Sequence, residues 1–129
     1  MIDTSALVAL LGMEPEASRL AAAIETDSTR LISAATLVES SIVLESRRGE
    51  AAVLELDLLL ARAGVRTEPV SAEQAELARQ AWRRFGRGRH PAGLNYGDCF
   101  SYALSRATGE PLLFKGSDFT LTDITAVSY

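Results

Sequence analysis

An α/β fold, a parallel sheet with helices on its faces, is what this 129-residue sequence predicts. Three observations predict it. Short apolar runs alternate with longer stretches of helical period. No internal repeat, low-complexity tract or Pro/Gly/Ser-rich linker interrupts the chain. The length, with 47% hydrophobic and 23% charged residues, suits one soluble domain that buries a single core. Residues 1–129 are therefore read as one domain.

The elements follow in order. Ile2-Asp3 ends a first strand, and helical period runs through Leu7–Leu11 and again from about Glu16 to Glu25. Leu31–Ala34 reads as a second strand. Thr36–Arg48 reads as a helix stopped by Gly49, and Ala51–Ala63 as another stopped by Gly64. Val65–Val70 is extended, and Pro69 marks it as short or at a sheet edge. Ser71 caps a helix through Phe85, with Glu73 and Gln74 near its start. Asn95 caps the next helix, which ends near Gly109. Leu112–Phe114 follows Pro111 as a strand, and Ile124–Val127 is a last one. Such alternation implies right-handed crossovers, with a ligand site beyond the carboxyl ends of the strands where strand order reverses.

Several function classes are disfavoured at this level. The single cysteine, Cys99, allows no disulfide within the chain and suits a reducing cytoplasm. No signal-peptide pattern and no bilayer-length apolar run is present. The formal net charge of −4 provides no whole-molecule basic field for nucleic acid, so any phosphate must be held locally, by a basic patch or a metal ion. His90 and Cys99 do not make a zinc site, and Cys99 reads as a small core residue.

The acidic residues carry the chemistry. Asp3 interrupts the first strand just before a helix, where Asp3, Thr4 or Ser5 would each serve as N-cap. Glu39 lies among Leu37, Val38, Ile42, Val43 and Leu44, on a helix that reads as mostly buried. Asp98 falls at the third helical position after Asn95, where an acid supports the helix end, and Ser101 shares its face. Asp118 follows a strand and a Lys-Gly-Ser turn; Asp123 reads as a loop residue. Strand-end and helix-borne carboxylates gathered at one rim repel and raise one another's pKa, and a hard divalent cation relieves that.

IDTSAL, LVES, LNYGDCFSYALS and LLFKGSDF together resemble the PIN-domain ribonucleases, specifically the VapC-type toxins of toxin–antitoxin pairs, over nearly the whole chain. The resemblance implies a three-layer α/β/α sandwich around a mostly parallel sheet. It assigns Asp3, Glu39, Asp98 and Asp118 as the acidic quartet that binds metal and catalyses, with Ser5 supporting the first acid. Asn95 and Lys115 take flanking positions. It further implies Mg²⁺ or Mn²⁺, an RNA substrate, a cognate antitoxin and a homodimer.

The expected function is thus a Mg²⁺-dependent endoribonuclease, the toxin of a type II toxin–antitoxin system. Asp3 and Asp98 are the first expected direct ligands; Glu39 and Asp118 complete the set. Arg83, Arg84, Arg87 and Arg89 form an RNA-contact patch, or equally a solvated helix end whose charges suit the dipole. Trp82 and Phe85 read as core rather than base-stacking residues. The leucine-rich helix Leu54–Ala61 is apolar on several faces, which suggests core on one side and a dimer or antitoxin surface on the other. The alternatives are a metal-dependent DNA or flap nuclease and a non-catalytic RNA- or partner-binding module. A phospho-receiver domain needs an acceptor aspartate at the end of a middle strand, and the extended stretch that ends in Ser71 offers none.

Overall fold

The structure is a computed structural model that describes residues 1–129. Its helices are α1 (Thr4–Leu11), α2 (Ala17–Thr26), α3 (Ala34–Arg48), α4 (Glu50–Arg62), α5 (Ala72–Phe85) and α6 (Tyr96–Thr108), with a 3-10 turn at Asp118–Leu121. Strands β1 (Leu31–Ser33) and β2 (Arg66–Glu68) pair in parallel, Leu31 opposite Arg66. No helix is long and apolar enough to cross a membrane.

Three further extended segments widen this ladder. Ile2 N donates to Leu31 O at 3.0 Å, which seats residues 1–3 beside β1. Residues 1–3 exchange bonds with 112–114 on their other side, and 112–114 with 125–127; the bridges Ile2–Leu113 and Leu112–Ala126 are both parallel. From residues 1–3 the chain thus builds outward first to β1 and β2, then to 112–114 and 125–127. Strand order reverses at residues 1–3, where Asp3 sits.

Strand alternation sends successive side chains to opposite faces, and two cores result. Met1, Leu31, Leu112 and Phe114 join α5 and α6 on one face, with Ala81, Phe85 and Leu104. Ile2, Ile32 and Leu113 join α1, α2, α3 and α4 on the other, with Leu7, Leu20, Leu44 and Leu56. That is the expected sandwich of helices on both faces of a parallel sheet. Each of these fully buried leucines contributes about 2 kcal/mol of transfer free energy.

The local rules explain the boundaries. Ser71 Oγ accepts from Gln74 N at 3.1 Å and starts α5. Gly49 joins α3 to α4 at φ +82, where a side chain would be strained. β2 pairs only with β1, as Pro69 required of an edge. Ala52, Leu56 and Leu60 bury one stripe of α4 and leave Leu54, Leu58 and Ala61 outside.

Three expectations need correction. α1 starts at Thr4, not Leu7, because Asp3 caps it directly. α3 is not mostly buried: only Thr36, Ser40 and Leu44 are, while Val38 and Ile42 are 58% and 59% exposed. Small hydroxyl residues let α3 approach its neighbours closely, and its branched apolar residues face out. Of the two aromatics read as core, Phe85 is buried but Trp82 is not. The buried stripe of α5 is Ala78, Ala81 and Phe85, and Trp82 lies beside it.

Candidate active site

Asp3 is buried at the reversal point and its carboxylate is held from three sides. Oδ2 accepts from Ser5 N at 2.9 Å and Ser5 Oγ at 2.6 Å; Oδ1 accepts from Ser101 Oγ at 2.6 Å. The capping reading of Asp3 is met, and Ser101 fixes the carboxylate oxygen that the cap does not use. Ser5 Oγ in turn accepts from Lys115 N at 3.0 Å, which ties the segment after Phe114 to α1. Ser101 Oγ lies 3.1 Å from Thr36 Oγ1, so α3, α6 and the first strand meet at one buried hydroxyl pair.

Glu39 reaches the same rim from α3. Thr4 Oγ1 donates to its Oε1 at 2.5 Å, and Ser40 Oγ donates to Thr4 Oγ1 at 3.1 Å. The carboxylate lies against Gly97 in the first turn of α6, where a Cβ would stand 1.6 Å from Oε2. Burial chiefly, and the charge of Asp3 secondarily, raise the Glu39 pKa against the lowering effect of the Thr4 bond.

Asp98 is the electrostatic centre. Its Oδ2 accepts from Asn95 N at 2.9 Å, and Asn95 Oδ1 accepts from Asp98 N at 2.9 Å, a reciprocal cap. Desolvation chiefly, with the charges of Asp3, Glu39 and Asp118 and against the lowering effect of the Asn95 bond, pushes its carboxyl up to about 7. All four acids thus act on one locus although they stand far apart in sequence. Asp118 is exposed at the head of the 3-10 turn. Asp123 is elsewhere engaged: it accepts from Tyr102 Oη at 2.8 Å and pairs with Arg84 at 3.1 Å, as a loop residue would. Cys99 is a buried core residue whose thiol burial pushes up to about 11.

The donor set fits a hard divalent cation. It is all oxygen, and its mutual repulsion is what such an ion removes. No three of these side chains are placed to hold one ion together directly. A Mg²⁺ ion takes one or two carboxylates and keeps several waters, so two of these acids would be its protein ligands.

The arginines divide. Arg84 pairs with Asp123 and stacks 4.7 Å from the Phe85 ring centre. Arg83, Arg87 and Arg89 instead line a groove beside Asn95. Lys115 pairs with Glu14 and lies 3.4 Å from Glu16, a link between the site's rim and the α1–α2 loop.

Residues 1–124 match the PIN domain. The chain belongs to the PIN-domain family. Among relatives of this PIN domain, ribonuclease VapC30 of Mycobacterium tuberculosis is 56% identical over 99% of this chain and 98% of its own. Ribonuclease VapC of Mycolicibacterium smegmatis is 58% identical over 98% of each chain. The crystal structure of Mycobacterium tuberculosis VapC20, a toxin that cleaves the sarcin-ricin loop, matches with a TM-score of 0.79. It is 24% identical and covers 98% of this chain and 96% of its own, a likeness of fold.

Sequence reasoning missed the hydroxyl network of this PIN domain. Thr36 and Ser40, four apart and flanking Glu39, are small polar residues on the buried side of α3. That spacing is the signal that could have found them. Gly97 left no such signal, since its role is to leave room for a side chain from another helix.

Proposed function

We propose that this PIN domain, residues 1–129 acting as one unit, is a Mg²⁺- or Mn²⁺-dependent endoribonuclease and the toxin of a toxin–antitoxin pair. The observation that carries the reading is geometric: Ser101 of α6 binds Asp3, and Glu39 lies against Gly97 beside Asp98, so acids from three distant parts of the chain meet at the first half of one helix. Full-length relatives named ribonuclease VapC support it.

Asp3 and Asp98 are the direct metal ligands in this reading, with Glu39 and Asp118 completing the set. A bound divalent ion supplies polarisation of a phosphoryl oxygen and activation of water. Ser5 and Ser101 hold both Asp3 oxygens in register. Thr4 orients Glu39, which together with Asp118 positions the attacking water. The reciprocal cap with Asn95 keeps Asp98 on the first turn of α6. The protein works in the cytoplasm, pairs as a homodimer and is silenced by an antitoxin; Val38, Ile42, Leu54 and Leu58 offer apolar surface for such contacts.

Single-stranded RNA incubated with the protein and Mg²⁺ tests the reading. Cleavage that stops in chelator and in folded Asp3→Ala and Asp98→Ala supports it. Undiminished cleavage by either variant overturns the site assignment.

A further inference from the structure

A groove of about 810 Å³ opens between α5 and the start of α6, lined by both aromatic and basic side chains. Trp82 lies between Arg79 and Arg83 along α5, Tyr96 and Phe100 come from α6, and Arg87 and Arg89 from the segment between the two helices. Tyr96 is 79% exposed and meets Phe100 edge to face at 4.9 Å between ring centres. Trp82 lies over Gly86, where a Cβ would come 2.8 Å from its ring atoms, so the ring rests on bare backbone. Gly88, at φ +81, turns the chain between Arg87 and Arg89.

Four arginines meet at this groove. The chain carries a net −4, yet Arg83, Arg87 and Arg89 take part in none of its ion pairs. Arg79 is held by Glu76 at 2.9 Å. Asn95 lines the groove and is also the cap partner of Asp98, so one residue links the groove to that acid.

We propose that this groove binds one or two unstacked bases of single-stranded RNA on Trp82 and Tyr96, with the flanking phosphates on Arg83, Arg87 and Arg89. The assignment rests on the ribonuclease reading and specifies how the strand is held. Exposed aromatic faces beside unpaired guanidinium groups are what a flexible single strand uses, because every base has a stacking face and every linkage a charge. An acidic peptide would satisfy the arginines but gives the rings no planar partner.

Trp82 is the only tryptophan, so its fluorescence reports on the groove alone. Titration of the full-length protein with a short single-stranded RNA in chelator separates binding from turnover. The expected result is saturable quenching of Trp82, affinity weakened about tenfold in Tyr96→Ala, and a shallower salt dependence in Arg83→Gln/Arg87→Gln. Poly-glutamate of equal charge should compete weakly and leave the fluorescence unchanged. Quenching without cleavage when Mg²⁺ is restored would leave the groove standing and remove the nuclease reading. RNA cleavage with no quenching, or Tyr96→Ala binding at full strength, would overturn the groove. So would equal quenching by poly-glutamate, or a concentration-dependent dimer that hides Trp82.

Discussion

Glu39 touches Gly97: its Oε2 occupies the space that any Cβ at position 97 would need, 1.6 Å from where that carbon would stand. A helix-borne acid and the first turn of another helix are thus fitted together through the one residue that lacks a side chain. Gly97→Ala should displace the carboxylate and cost about 1–3 kcal/mol of stability by overpacking. Thermal denaturation of Gly97→Ala and of Glu39→Ala/Gly97→Ala checks this. The double variant should recover much of the lost stability while cleavage stays low, and an equally destabilised double variant would contradict the fit.

Asp98 makes the metal-free protein sensitive to pH in a defined direction. Its folded pKa of about 7 lies above its usual value of 3.8, mainly through desolvation and then through Asp3, Glu39 and Asp118. The folded state therefore binds more protons than the unfolded state between those values, so stability falls as pH rises through that window. Glu39, also raised, adds in the same direction. Melting temperature in chelator should rise from pH 7.5 to pH 5.5, and Asp98→Asn should flatten that dependence. A melting temperature that instead falls on acidification across this range would contradict the assignment.

Metal binding has the matching linkage. A cation needs the ionised carboxylates, so Mg²⁺ binding should release protons at pH 6.5 and weaken as pH falls below 7. Calorimetry in two buffers of different ionisation enthalpy measures the release. Binding that neither releases protons nor weakens on acidification would argue that Asp98 is not a ligand.

Ser101 holds Asp3 from a helix 98 residues away in sequence and shares its hydroxyl with Thr36. Ser101→Ala leaves one buried carboxylate oxygen and one buried hydroxyl short of a partner, at a cost of about 1–3 kcal/mol. Cleavage should fall with apparent Mg²⁺ affinity, and Ser101→Thr should restore part of both. Full activity in Ser101→Ala at limiting Mg²⁺ would show that Ser5 alone positions Asp3.

Val38 and Ile42 stand one helical turn apart on the outer side of α3, both more than half exposed. If that side pairs two copies, light scattering at low micromolar concentration gives a dimer mass, and Ile42→Glu gives a folded monomer whose melting temperature no longer depends on concentration. A monomeric parent protein removes the dimer from the functional reading.

The order of strands and helices was legible in the sequence, and so were most ends. Periodicity, Ser71, Asn95, Gly49 and Pro69 act through neighbours a few residues away, and local geometry follows from local chemistry. The sequence singled out Asp3, Glu39, Asp98 and Asp118 as candidates and expected them at one rim. The hydroxyl contacts that hold two of them there were not legible. Ser40 meets Thr4 across 36 residues and Ser101 meets Asp3 across 98, and no local pattern encodes such contacts. Nor could the sequence say that Arg84 is tied to Asp123 while Arg83 is free, or that Val38 faces out. The chain by itself determined which elements form and which residues carry charge. Packing decided which faces meet, and so which charges repel, which are capped, and where a cation or a phosphate is wanted.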